Sequence, residues 1–362
     1  MEACELLAVE LRLDRIEAEL AGELPPHMRT FARAYRQGTA APRAPDVLLR
    51  AFTLTTARAA VAHPVLADRG LALLRLVAPL AIEADAGVAA ARAAPPSWAA
   101  LTALAAARRA AARLRLGRDA LEVLHRLHGA PAAAIDGDAA LLPPPVAAWS
   151  VPDGVAVDDR VIERGWRALS ARHGVTGTVH IERTVRGRPR TFVVEPAREV
   201  IVVVPAQLAT PADRFAVLHE LGHAVAALAL PAGIPRVIDE AVAAYVARGI
   251  ERPGDAAWYS PAAGGARARR GLVARRLDQI ERQIERRIEH SSAGGDAAAP
   301  QIAERPPWAL WHDPGAQAAY VAAEALADEL DRAIGAAPGP GALAGALAGH
   351  RAAIDRLAAA AL

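Results

Sequence analysis

Lysine and asparagine are both absent from this chain of 362 residues, so all 42 basic residues are arginine. Cysteine occurs once, at Cys4, which excludes a disulfide-stabilised scaffold because this residue has no partner in the chain. Aromatic residues make up only 4% of the sequence. The net charge of +2 is close to balance, and it gives no overall electrostatic reason to expect binding to nucleic acid or to a membrane.

Long apolar runs are also missing, although 53% of the residues are hydrophobic. The most apolar stretches, 71–81 and 224–232, are shorter than the ~20 residues that a membrane-spanning helix needs. Charged residues interrupt the N-terminal segment, which therefore does not resemble a secretory signal peptide. The sequence thus predicts a globular, cytoplasmic protein without membrane association, and its many Ala and Arg residues favour helices.

The pattern of apolar residues predicts a mostly α protein with a small mixed β-sheet (α+β). Residues 1–142 carry leucines at helical spacing and are expected to form an N-terminal helical domain. The Pro-rich segment 143–158 is predicted to be a linker. A second domain is expected at 159–335, followed at 336–362 by an Ala- and Gly-rich tail whose last short helix comes after residue 349.

Three short strands are predicted early in the second domain, at 178–182, 191–195 and 199–204. The third is a run of β-branched residues, which suits a strand buried on both faces. Together the three strands make a small sheet.

A helix is predicted directly after the strands. Thr210 is a good N-cap, Pro211 fits the first helical position, and Asp213 completes a variant of the capping box. Pro231 ends this helix. Further helices are predicted at about 235–248, 266–290 and 314–334.

The helix between Thr210 and Pro231 contains an H-E-x-x-H motif, formed by His219, Glu220 and His223. Two histidines four positions apart lie one turn apart on the same face, so both imidazoles can reach one tetrahedral metal ion. Glu220 is rotated by about 100° from His219, which places its carboxylate beside a metal-bound water rather than on the metal. The motif therefore predicts a zinc site.

A catalytic zinc ion needs a third protein ligand and an open fourth position. Glu240 lies on the following helix, and an antiparallel arrangement would bring it back towards His219 and His223. The small side chains around it, at Ala241, Ala243 and Ala244, would allow the two helices to approach closely. Asp239 is the alternative ligand, but Glu240 is favoured because its side chain is longer.

The run His219-Glu220-Leu221-Gly222-His223, followed by Asp239-Glu240-Ala241-Val242-Ala243-Ala244-Tyr245, resembles the gluzincin metallopeptidases. The resemblance covers roughly residues 175–335 and implies a zincin-like catalytic domain. It implies that His219, His223 and Glu240 bind Zn²⁺ and that Glu220 is the general base. It also implies an edge strand above the motif helix that holds an extended peptide. The separation of motif and acid is slightly short for the family, so a tighter helix connection is expected.

The resemblance implies a zinc-dependent peptidase whose substrate is a peptide or protein. Related gluzincins carry a Tyr or His downstream, so His312 is a candidate to stabilise the oxyanion, with Tyr320 and Tyr259 as further candidates. His312 could equally be a solvent-contacting residue at a helix entrance. No segment resembles the G-x-M-E-N motif of gluzincin aminopeptidases, so endopeptidase or oligopeptidase action is favoured.

Two other functions stay open from the sequence. The chain could be a cytoplasmic regulatory protease that cleaves one protein partner, or a non-catalytic helical binding protein with a structural zinc ion. An intact Glu220 argues against the second alternative, because a structural site needs no base. The oligomeric state is open.

The remaining candidates are weaker. His125 and His128 are interpreted as surface histidines, because the acidic residues near them in sequence do not complete a set of metal ligands; His173 and His180 match no motif. Helix 266–290 carries eight Arg against four acids. No aromatic residues interleave with these arginines, so a solvated helix is favoured over a nucleic-acid surface. Its packing stripe consists of Val273, Leu277, Ile280, Ile284 and Ile288.

Overall fold

The computed structural model describes residues 51–63, 66–130, 155, 157–184, 189–194, 199–230, 234–251, 258–292, 310–311, 315–334 and 339–359. These residues are mostly helical and include one three-stranded sheet, which confirms the predicted mixture of many helices and a small sheet. Within these ranges, no helix combines the length and the apolar character that crossing a bilayer requires.

Six helices precede the sheet in the described part of the chain, and the first five lie between residues 51 and 128. Ser97 caps the fourth of them by accepting a hydrogen bond from the Ala100 N–H. Gly117 and Gly129 end the fourth and fifth helices in the left-handed conformation that glycine adopts readily. The five are α1 (Ala51–Val61), α2 (Ala67–Glu83), α3 (Ala86–Arg92), α4 (Trp98–Leu116) and α5 (Ala120–His128).

The sheet follows a sixth helix, α6 (Asp159–His173), and has the strand order β1-β3-β2. Its strands are β1 (Thr178–Thr184), β2 (Arg190–Val194) and β3 (Glu199–Pro205), which confirms the three predicted strands. The central strand β3 pairs with β1 in parallel and with β2 antiparallel. Residues 200–204 are buried, as the β-branched run predicts. Strand β2 therefore forms one edge of a mixed sheet.

The motif helix α7 (Pro211–Ala229) and helix α8 (Arg236–Ala247) follow the sheet. The capping box is present: Thr210 Oγ1 accepts from the Asp213 N–H, and Asp213 Oδ2 accepts from the Thr210 N–H. The two helices cross at Gly222, where an added Cβ would lie 2.6 Å from the Ala243 Cα. Of the small residues expected to allow a close approach, Ala243 is the one at this crossing.

Gly222→Ala is expected to lower the free energy of unfolding by about 1–3 kcal/mol, because the new methyl group overlaps the backbone of the neighbouring helix. Gly349→Ala is the matched control. Gly349 also lies within a helix, but a Cβ there meets no atom within 4 Å, so the change should stabilise the helix by about 0.5–1 kcal/mol. Urea denaturation measures both. Equal stability of the two variants would show that the crossing is looser than described.

Three more helices complete the described fold: α9 (Ala263–Ser292), α10 (Ala316–Ile334) and α11 (Ala342–Ala359). The prediction that the last helix begins after residue 349 was wrong, since it begins at Ala342. The high helix propensity of the many alanines in this stretch offsets the low helix propensity of its glycines. Leu343, Leu347 and Ile354 are buried at helical spacing, and their packing stabilises the earlier start.

Two hydrophobic cores lie among the described residues. The larger is built mainly around β3, α7, α8 and α10. The smaller joins the N-terminal helices to Ile280 and Ile284 of α9 and to Leu310 and Trp311. Helix α9 therefore packs against the helices of the segment predicted as a separate N-terminal domain. Most of the predicted linker 143–158 lies outside the described residues, and the domain boundaries stay predictions.

Candidate metal centre

His219 and His223 of α7 meet Glu240 of α8 in one small group. One nitrogen of each imidazole and one carboxylate oxygen all lie within 4.8 Å of one another. Glu240 Oε2 is 3.2 Å from His219 Nε2 and 3.9 Å from His223 Nε2. Ligand atoms of a tetrahedral zinc ion are about 3.3 Å apart, given bonds of about 2.0–2.1 Å. The three side chains are therefore arranged as ligands of one ion would be.

The carboxylate of Glu240 is buried, and its Oε2 atom has no hydrogen bond of regular geometry within the described ranges. Burying such an oxygen is costly unless a donor or a cation compensates it. Two imidazoles and one carboxylate are a donor set that suits zinc. The side chain of His223 is 14% exposed, so the group is accessible from that side.

The electrostatics of the group favour a positive charge between the three residues. Burial, helped by the nearby Arg270, lowers the pKa of His219 to about 3 and keeps its imidazole in the neutral, metal-binding form. Burial alone would also lower the pKa of His223, but the carboxylates of Asp239 and Glu240 outweigh it and raise this pKa to about 10. The same attraction lowers the pKa of Glu240 despite its burial.

Asp239 lies on the far side of His223, where its Oδ1 is 3.0 Å from His223 Nδ1. Metal-binding histidines often have a carboxylate at the second ring nitrogen, because this contact orients the ring and strengthens the ligand. Of the two acids considered as the third ligand, Glu240 shares the group and Asp239 supports a histidine from outside it.

Glu220 is half-buried and stays outside the group of three. The Thr191 hydroxyl is the donor in two contacts with Glu220. Its Oγ1 lies 2.8 Å from Glu220 Oε2 and 2.8 Å from the Glu220 carbonyl oxygen. Burial raises the pKa of the Glu220 carboxyl group. Thr191 belongs to β2, so the edge strand of the described sheet contacts the motif helix at this residue.

Three cationic or phenolic side chains approach the group from α8, α9 and α10. Arg270 Nη2 is 3.4 Å from His219 Nε2, and its guanidinium lies 5.9 Å from the centre of the Tyr320 ring. Tyr320 Oη accepts a hydrogen bond from Arg236 Nη2 at 3.1 Å, and Arg236 Nε is 3.8 Å from Glu240 Oε1. Tyr320, a candidate from the sequence, is therefore close to the centre.

Arg270 and Thr191 were not recognised in the sequence. Arg270 is one of eight arginines on the predicted helix 266–290, and no local pattern separates it from the other seven. Thr191 was recognised only as part of a strand. Its contact with Glu220 depends on how the sheet packs on the helix. His312 lies outside the described residues, and Tyr259 is half-buried before α9.

The interpretation of His125 as a surface residue was wrong, because the structure buries its side chain. Helix α9 covers it and brings Asp278 and Glu281 beside it, both of which are distant in sequence. The apolar stripe of α9 is confirmed by the burial of Ile280 and Ile284, but this helix also buries polar residues. His128 is half-buried, His173 is buried against Tyr245, and His180 is half-buried on β1.

Comparison of the chain with protein-family models, curated proteins and solved structures finds no match in any of the three. The function must therefore be inferred from the arrangement of the side chains. That arrangement joins three potential metal ligands, a neighbouring carboxylate held by a threonine, and an arginine and a tyrosine close by.

Proposed function

We propose that this protein is a zinc-dependent peptidase that uses Glu220 as its general base. One observation carries the proposal: His219, His223 and Glu240 converge within 4.8 Å, while Glu220 stands beside them outside the group. Three ligands with a free carboxylate next to them are typical of catalytic zinc sites. A structural site has four protein ligands and no use for such a base.

A zinc ion in this centre would lower the pKa of a water to about 7 and polarise the scissile carbonyl group. Glu220 accepts a proton from the attacking water and then delivers it to the leaving amine. Burial raises its pKa, which makes the carboxylate a stronger proton acceptor. The Thr191 hydroxyl holds the carboxylate in place through these steps.

Arg270 and Tyr320 supply positive charge and a hydroxyl donor for the oxyanion that develops on the scissile carbonyl. Preorganised donors of this kind contribute a large share of the rate enhancement in acyl transfer. Arg236 Nη2 donates a hydrogen bond to Tyr320 Oη and so helps to fix the position of the phenol beside the centre. With His312 outside the described residues, Tyr320 and Arg270 are the candidates for this role that the geometry supports.

The sheet supports an extended peptide as the substrate. Strand β2 lies at the edge of the described sheet, pairs with β3 on one side, and contacts α7 at Glu220 through Thr191. An edge strand offers backbone donors and acceptors to which a peptide can add as a further strand. A peptide bound there would run past the proposed base.

A peptide-library digest tests the proposal. Protein saturated with zinc is expected to cleave peptides, chelation should abolish cleavage, and restoring zinc should recover it. Mass spectrometry of the products identifies the cleaved bonds. A fully zinc-loaded protein that cleaves no peptide in a diverse library would overturn the proposal.

Thr191→Val is expected to lower kcat and to move the acidic limb of the pH–rate profile to higher pH. The hydroxyl stabilises the charged form of Glu220, so its loss raises the pKa of this carboxyl group further. Because the base works only when ionised, activity should then be lost at a higher pH as the solution is acidified. Thr191→Ser keeps the hydroxyl and is the control. An unchanged profile in Thr191→Val would exclude a role of Thr191 in holding the base.

A further inference from the structure

A second cluster of polar side chains lies between the N-terminal helices and α9. His125 comes from α5, whereas Asp278 and Glu281 come from α9. The three residues are only 3%, 0% and 7% exposed, respectively. Groups of this kind are rarely buried together unless each is paired or binds a metal ion.

Each of these three residues has one polar side-chain atom that finds no hydrogen bond within the described ranges. His125 Nε2, Asp278 Oδ1 and Glu281 Oε2 are all buried and have no hydrogen-bond partner among the residues that the structure describes. One ligand atom of each residue lies within 4.8 Å of the other two, and His125 Nε2 is 4.0 Å from Asp278 Oδ1. Two ligands of one ion can be at most about 4.2 Å apart when each bond is about 2.1 Å, so this pair is within reach of a single ion.

The other oxygen of each carboxylate is already engaged. Asp278 Oδ2 accepts a hydrogen bond from Arg282 Nε at 2.9 Å, and Glu281 Oε1 accepts one from the Gly315 N–H at 2.8 Å. Such outer contacts orient metal-binding carboxylates. The second oxygen of each acid, Asp278 Oδ1 and Glu281 Oε2, is left without a hydrogen bond to any described residue.

We propose that His125, Asp278 and Glu281 form a second metal site, which takes a divalent transition-metal ion such as Zn²⁺ and is separate from the centre at His219. A neutral imidazole and two carboxylates bring two negative charges, which a divalent cation neutralises. One nitrogen and two oxygens suit zinc and related divalent ions better than soft, thiolate-preferring ones.

The second site would connect three parts of the fold. It joins α5 to α9 and lies against Gly315, the residue directly before α10. Helix α9 carries Arg270, and α10 carries Tyr320, so both side chains near the first centre belong to helices that this ion would hold. An ion at this second site would therefore help to position Arg270 and Tyr320.

Zinc content after equilibrium dialysis tests this inference. The wild-type chain should retain two zinc ions, and both His125→Gln and Asp278→Asn should retain one. His128→Gln, on the same helix, should still retain two. Glu240→Gln should retain one, because that ion occupies the second site. One ion in the wild type that Glu240→Gln loses and His125→Gln keeps would overturn the inference.

A second measurement does not depend on changing the buried cluster. Glu240→Gln leaves His125, Asp278 and Glu281 intact, so added Zn²⁺ should raise its Tm by about 4 °C at 100-fold excess over Kd. No rise, together with no bound zinc, would overturn the second site. If instead the first centre binds no zinc, the wild type should hold one ion that His125→Gln loses, so the two proposals fail separately.

Discussion

Replacing Glu220 with Gln is expected to lower kcat for peptide hydrolysis by about 10²–10⁴-fold and to leave zinc binding unchanged. The amide has nearly the same shape as the carboxylate, and its oxygen can still accept the hydrogen bond from Thr191. It cannot take a proton from the attacking water, however. Initial rates on a cleaved library peptide measure kcat, and elemental analysis measures the zinc content of the same preparation.

The matched control for this prediction is Glu329→Gln. Glu329 is an exposed residue of α10 that pairs with His350 at the surface. It has no part in the proposed reaction. This variant should keep wild-type activity. Retained activity in Glu220→Gln would exclude Glu220 as the base, and a loss of its zinc would make Glu220 a ligand instead.

Glu240→Gln is expected to weaken zinc binding at the first centre by about 10³-fold, the second-largest effect we foresee. Structural zinc sites bind with about 10–16 kcal/mol, so losing one of the ligands costs roughly 3–4 kcal/mol, or two to three powers of ten. Asp239→Asn removes a carboxylate that contacts only the far side of His223, and it should cost about 10–100-fold. Competition with a calibrated chelator measures both affinities.

The order of these two effects decides the ligand assignment. Weaker binding in Glu240→Gln than in Asp239→Asn supports Glu240 as the third ligand, as its position between both imidazoles predicts. The reverse order would make Asp239 the ligand. Circular dichroism of both metal-free variants serves as the control for folding.

The features that could be predicted from the sequence depend on neighbouring residues. The capping box at Thr210, the burial of 200–204 and the shared face of His219 and His223 all follow from spacing within one element. Glu240 was also within reach of sequence reasoning, because it follows the motif on the next helix. Its approach depends on the close crossing at Gly222.

The features that were missed come from packing between distant elements. Thr191 reaches Glu220 only because β2 forms the sheet edge beside α7, and Arg270 reaches His219 because α9 passes the centre. His125 and Asp278 are 153 positions apart in the sequence, and no local pattern connects them. Only the tertiary structure shows which residues form the second cluster and which of the eight arginines approaches His219.

Anomalous diffraction at the zinc edge from crystals of the zinc-loaded protein shows whether His219, His223 and Glu240 hold one ion. We expect a peak within bonding distance of His219 Nε2, His223 Nε2 and Glu240 Oε2, with the fourth position open to solvent beside Glu220. A fourth protein ligand at that position, or a zinc-loaded crystal with no peak between these three atoms, would contradict this expectation.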